Sequence, residues 1–149
     1  MKVVIISGYF NPLHGGHLDM IEAAAKMGDR LVIIVNNDEQ QVMKKGKIIL
    51  DQDNRARLMR ALRDADDVII SIDKDPTQIE TLKMVAEKYH GEQLVFANGG
   101  DRHGEREIPE TEVCKANGIE LAFGVGTDVR GLVKPDSSTR INQALGHEQ

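Results

Sequence analysis

The chain has 149 residues, 40% of them hydrophobic and 29% charged, with 24 acidic and 19 basic side chains and a net charge of -5. This balance suits one folded domain, residues 1–149, with a substantial core, and it excludes a disordered chain. The negative charge and an aromatic content of 3% exclude an extended nucleic-acid footprint and a platform for stacking bases, so any phosphate ligand must be gripped locally.

Cys114 is the only cysteine, which excludes an intrachain disulfide and fits a small residue on a helix face in a reducing compartment. The apolar run Val3 to Ile6 is too short for a signal-peptide core, and no stretch approaches the ~20 apolar residues that span a bilayer. The reading is a cytoplasmic chain with neither membrane nor nucleic acid as partner.

Taken in chain order, Val3 to Ile6 predicts a first strand, followed by a helix marked by Leu18, Ile21 and Ala25 and ended by Gly28. Leu31 to Val35 predicts a second strand. The stretch from Asn36 to Leu50 reads as irregular, and a second helix, entered through Asp51 or Asp53, carries Leu58, Leu62 and Ala65. Val68 to Ile72 predicts a third strand; Ile79, Leu82, Val85 and Ala86 form one stripe of a third helix after Asp75-Pro76. Leu94 to Ala97 and Glu120 to Val125 predict the last two strands, with a fourth helix from about Pro109 to Asn117-Gly118 between them and a fifth near Ser137. The strands are apolar on both faces, as in a parallel sheet covered by helices on each side. Five alternations predict a Rossmann-like α/β three-layer sandwich with a five-stranded parallel sheet. In such sheets ligands bind at the carboxyl edge of the strands.

That edge holds the most informative segment, Ser7 to His17, between the first strand and the first helix. His14 and His17 stand over the amides of a helix start, where unpaired N–H groups and the helix dipole favour anions. Gly8 and the pair Gly15-Gly16 permit close approach of backbone to a ligand. A metal site built on the two histidines lacks an evident third ligand, since only His90, His103 and the terminal His147 remain.

The string Gly8-Tyr9-Phe10-Asn11-Pro12-Leu13-His14-Gly15-Gly16-His17 resembles the signature of the cytidylyltransferase-like nucleotidyltransferases, with glycerol-3-phosphate cytidylyltransferases and the adenylyltransferase domains of ADP-heptose synthases as the most similar kinds. The likeness continues through the second strand to Asp38, through Asp53-Asn54-Arg55 to Ile69, and into Asn98-Gly99-Gly100-Asp101. The resemblance implies transfer of a nucleoside monophosphate from CTP or ATP to a small phosphorylated or phosphonylated acceptor, with release of pyrophosphate and with Mg²⁺ carried by the triphosphate. The attacking oxygen is already anionic, so such a reaction asks mainly for positioning and charge stabilisation. It further implies catalytic roles for His14 and His17 and nucleotide contacts by Gly8, Tyr9, Phe10, Asn11, Gly16, Gly99 and Asp101.

Lys44, Lys45 and Lys47 cluster after the second strand and alone read as a solvated basic turn. The resemblance implies that Lys44 meets the phosphates from a mobile loop, with Lys45 or Lys47 as alternates, and that Asp38 and Arg55 bind the acceptor. Ser137, Ser138 and Thr139 alone read as a helix cap; the resemblance implies contacts with the far end of the triphosphate. Two departures stand out: Lys134 and Arg140 flank that segment in place of the family's arginine, and Asn11 replaces an aspartate usual in glycerol-phosphate relatives. The lost carboxylate agrees with a metal that rides on the nucleotide. A homodimer is compatible with this reading. A non-catalytic nucleotide-binding or sensor protein on the same fold is the alternative; a metal-dependent phosphohydrolase would need ligand clusters that the spacing does not supply.

Overall fold

The structure, a computed structural model, describes residues 1–99 and 108–126. Five strands, β1 (Lys2–Gly8), β2 (Arg30–Val35), β3 (Asp67–Ile70), β4 (Gln93–Ala97) and β5 (Ile119–Ala122), form one sheet in the order β3-β2-β1-β4-β5. Every neighbouring pair is parallel, with Gly8 opposite Val35 at the end of β1 and Ala97 opposite Ala122 at the end of β4. The helices among the described residues are α1 (Gly15–Ala25), α2 (Asp38–Lys45), α3 (Gln52–Arg60), α4 (Ile79–Lys88) and α5 (Thr111–Ala116). This is the Rossmann-like α/β sandwich that the alternation of the sequence predicts.

Because β1 is the central strand, its side chains are buried on both faces, and alternate residues enter two separate cores. Val3 and Ile5 pack with Leu82 and Val85 of α4 and Val113 and Cys114 of α5. Val4 and Ile6 pack with Ile21 and Ala24 of α1 and Ala56 and Met59 of α3. The strand order reverses between β1 and β4, and the turn from β1 into α1 lies beside this reversal, where open α/β sheets bind ligands.

Three local expectations change. The stretch read as irregular between Asn36 and Leu50 contains α2, so Lys44 and Lys45 belong to the last turn of a helix and not to a loop. That helix escapes periodicity because its inward positions, Gln40, Gln41 and Lys45, are polar. Its ends nevertheless carry signals: Asn37 and Gln40 exchange side-chain and backbone bonds as a capping box, and Gly46 closes the helix at φ 77°, a conformation that glycine adopts without steric conflict. Helix α3 stops at Arg60, leaving Leu62 and Ala65 in the following turn, where they still pack on the core. Strand β5 ends at Ala122, three residues early, because Val125 N–H turns back to bond Asn98 O. The helix expected near Ser137 lies outside the described residues.

No helix among the described residues is long and apolar enough to cross a membrane. Cys114 is fully buried in α5, and burial, reinforced by the carboxylate of Glu110, pushes its thiol up to about 12. At pH 8 only about one thiol in 10⁴ would then ionise, and the thiolate is the reacting form. A thiol-specific disulfide reagent is therefore expected to leave the folded protein unmodified and to label it stoichiometrically in denaturant; rapid labelling of the native chain would show that the packing around α5 is open.

Candidate functional site

The turn between β1 and α1 is built around two aromatic contacts and one reciprocal cap. Phe10 is buried with φ 51°, a left-handed conformation uncommon for a bulky residue. Its ring occupies the space beside Gly8: a Cβ at Gly8 would lie 2.9 Å from Phe10 Cζ. Gly8 is thus required by the aromatic ring, whatever it permits toward a ligand. The Phe10 ring meets the His17 imidazole edge to face, with centroids 5.1 Å apart, and His17 stacks on His14 at 3.9 Å.

His14 is the N-cap of α1. Its Nδ1 accepts from the Gly16 N–H at 3.0 Å, while Nδ1 of His17 accepts from the His14 N–H at 3.2 Å. Imidazole side chains here take the part that serine and glutamate usually take in a capping box. A neutral imidazole that accepts at Nδ1 carries its hydrogen on Nε2. The two caps therefore select the Nε2–H tautomer in both rings and fix their orientation before any ligand arrives.

A second polar layer joins this turn to α2 and α3. Asn11 Nδ2 donates to Gln41 Oε1 at 2.5 Å, and Asn11 Oδ1 accepts from Leu50 N at 3.1 Å. Gln41 Oε1 also accepts from Ile49 N, and its Nε2 donates to Leu50 O and Asp38 Oδ1. Arg55 lies beneath them with no exposed surface. Its Nε donates to Leu50 O at 2.7 Å, Nη1 to Tyr9 O at 3.0 Å and to Asn36 O at 2.6 Å, and Nη2 to Asp38 Oδ1 at 3.0 Å.

Three of the expected ligand residues have partners within the chain. Arg55 and Asp38, expected to bind the acceptor, are paired with each other, and the guanidinium is enclosed by main-chain carbonyls. Burial lowers the Arg55 pKa and the Asp38 carboxylate opposes that shift. The Asn11 amide, expected at the nucleotide, ties the histidine turn to the segment between α2 and α3. The sequence conceals this because an arginine in a helix start looks the same whether it faces solvent or three carbonyls.

Lys44 is exposed, with Nζ 4.6 Å from the centroid of the Tyr9 ring. Lys45 is 92% buried on the inward face of α2, and Lys47 is exposed beyond it. Gly99, just past β4, is closely packed, since a Cβ there would lie 3.0 Å from Val125 O and 3.2 Å from Met20 Sδ. Asp101, Ser137, Ser138 and Thr139 lie outside the described residues. Among the described residues no group of three or more histidine, cysteine, aspartate or glutamate side chains is placed to hold a metal ion.

The sequence and the fold both have counterparts among known proteins. A family model described as cytidylyltransferase-like matches residues 5–142. The chain belongs to that family. It is 39% identical over 147 residues to the bifunctional protein HldE of Gluconobacter oxydans, covering 97% of this chain and 27% of that protein. It is 34% identical over 116 residues to an FAD synthase of Ferroglobus placidus, covering 77% of this chain and 70% of that one. The chain thus spans about a quarter of the length of the HldE relatives it matches. A lipopolysaccharide core biosynthesis protein of Thermoplasma volcanium superposes with a TM-score of 0.67, covering 91% of this chain and 99% of that one at 23% identity, and so shares the fold.

Two outcomes are expected from this geometry. In ¹⁵N-resolved NMR spectra of the neutral rings, His14 and His17 should both show an unprotonated Nδ1 and a protonated Nε2; an Nδ1–H tautomer in either ring would contradict the reciprocal cap. Arg55→Met would take this donor from the carbonyls of Tyr9 and Asn36 and leave Asp38 Oδ1 and Leu50 O with the Gln41 amide in place of the guanidinium, a loss of about 3–5 kcal/mol in folding stability when one partner of a buried pair is removed. A chemical denaturation midpoint equal to that of the parent protein would show that the guanidinium is not the anchor of this layer.

Proposed function

We propose that the protein is a nucleotidyltransferase that moves a nucleoside monophosphate from a nucleoside triphosphate, ATP or CTP, to a small phosphorylated or phosphonylated acceptor. The observation that carries this reading is the mutually capped pair His14 and His17 at the start of α1, with both rings set to donate from Nε2. An oxygen of the acceptor phosphate attacks the α-phosphorus, the bond from that phosphorus to the bridging oxygen of the β-phosphate breaks, and pyrophosphate leaves. The acceptor oxygen is anionic at neutral pH, so no side chain need remove a proton from it. His14 and His17 supply hydrogen bonds that strengthen as charge grows on the α-phosphate and the leaving group. The helix N-terminus adds amide dipoles of the same sign.

Lys44 supplies a positive charge for the triphosphate from the last turn of α2. Gly8, Gly16 and Gly99 line the approach of the nucleotide with main chain, and Tyr9 and Phe10 shape the turn that receives it. The resemblance to the family assigns nucleotide contacts also to Asp101, Ser137, Ser138 and Thr139, which lie outside the described residues. Mg²⁺ would be carried by the triphosphate: Asn11 offers an amide in place of a carboxylate, and Oδ1 of Asp38 is already bonded to Arg55 and Gln41. Relatives named FAD synthase form a product that contains an adenine nucleotide, which favours ATP as donor over CTP.

The test is release of pyrophosphate from ATP, CTP, GTP and UTP in the presence of Mg²⁺ and a panel of phosphorylated sugars, polyols, choline and riboflavin phosphate. One pairing should turn over. Binding of nucleotide without pyrophosphate release from any pairing would mark the protein as a sensor on this fold. With the active pair in hand, His14→Ala and His17→Ala are each expected to lower kcat by ~10²–10³ while changing nucleotide affinity little, as when one electrostatic donor to a transition state is removed. Parental kcat in both variants would remove the histidines from the mechanism.

A further inference from the structure

The contact between Tyr9 and α2 has no counterpart in the roles assigned above. Tyr9 Oη donates to the Gln40 carbonyl at 3.2 Å, and the Lys44 ammonium stands 4.6 Å from the centroid of the same ring. Gln40 and Lys44 are four residues apart, so they lie one above the other on a single face of α2. One tyrosine side chain therefore spans a full turn of the helix that carries the lysine. Its own main chain is anchored, since Tyr9 O accepts from Arg55 Nη1 at 3.0 Å.

The rest of α2 is held elsewhere. Gln40 Oε1 accepts from Asn37 N, and Gln40 Nε2 donates to the carbonyls of Asp75 and Thr77. Those bonds fix the first turn of the helix, whereas Lys44 sits in the last turn on a long side chain that loses much rotamer freedom on binding a ligand. A ring that gathers the ammonium before the ligand arrives removes part of that loss, which is preorganisation. Burial raises the Tyr9 phenol above its ordinary pKa, against the opposing charge of Arg55, so the hydroxyl remains a donor at neutral pH.

We propose that Tyr9 is a positioning residue: its ring and hydroxyl hold the Lys44-bearing turn of α2 at the histidine turn and so set the protein's affinity for the triphosphate and pyrophosphate anions. This rests on the reading of Lys44 as a phosphate-binding cation. Adjacent in sequence to Gly8 and Phe10, Tyr9 acts on the nucleotide through the lysine.

The test is a double-mutant cycle on the full chain, read as the dissociation constant of inorganic pyrophosphate with Mg²⁺, a ligand common to every candidate donor nucleotide. Tyr9→Leu should weaken pyrophosphate about 3- to 10-fold, the scale of a cation–π contact together with a hydrogen bond, and Tyr9→Phe, which keeps the ring and loses the hydroxyl bond, should weaken it by about 2- to 3-fold. In a Lys44→Ala background Tyr9→Leu should add less than about twofold, because the lysine it acts through is gone. The Lys44 ε-methylene proton resonances should show an upfield ring-current shift that Tyr9→Leu abolishes. If Tyr9→Leu does not fold, Tyr9→Met takes its place in the cycle. Full multiplicative weakening in the double variant, or parental affinity in Tyr9→Leu, overturns the role of Tyr9 while an impaired Lys44→Ala leaves the lysine reading intact. Parental affinity in Lys44→Ala overturns both.

Discussion

The Arg55 guanidinium is the interaction on which the edge of the sheet that carries the histidine turn depends. Three main-chain carbonyls from separate segments converge on it, those of Tyr9 after β1, Asn36 after β2 and Leu50 before α3, together with the carboxylate of Asp38. Each carbonyl belongs to a loop with no regular strand or helix partner at that point, and a buried carbonyl without a donor is unfavourable by about 1–3 kcal/mol. A planar cation with five donors in a fixed fork can satisfy several at once, which a lysine ammonium could not do with the same geometry. The charge is tolerated in a fully buried place because Asp38 lies within hydrogen-bond distance and the carbonyl dipoles point at it.

From that anchor the rest of the site follows in layers. Gln41 and Asn11 extend the network toward the histidine turn, and Gln40 extends it to the loop before α4. Helix α2 is thus seated on amide side chains and not on an apolar stripe. Directional contacts of this kind specify one arrangement more tightly than apolar contacts, since each hydrogen bond fails within a few tenths of an ångström. The histidine turn itself is held from two sides, by the Phe10 ring against His17 and by the reciprocal caps that fix the tautomers.

The same logic separates the two kinds of core. The sheet and its two apolar layers give the fold, with alternate residues of β1 directed to opposite helices. The polar layer at the strand ends carries the candidate site, and Asn11, Gln40, Gln41 and Arg55 in it are buried without being apolar. Changes in the apolar layers act chiefly through packing, while changes in the amide layer also move the lysines and histidines relative to each other.

By itself the sequence determined the five strands and four of the five described helices, because burial on both faces of a parallel sheet and glycine or asparagine at helix ends write themselves into periodicity and spacing. The histidine turn was legible for the same reason: its spacing is local. Helix α2 and the employment of Arg55, Asp38 and Asn11 were decided only by tertiary structure. An amide or guanidinium group shows in the sequence which bonds it can make, and nothing there tells whether its partners will be water, a ligand or carbonyls contributed from 5, 19 and 46 residues away. That choice is made when strands separated along the chain become neighbours in the sheet and bring their loops to one edge.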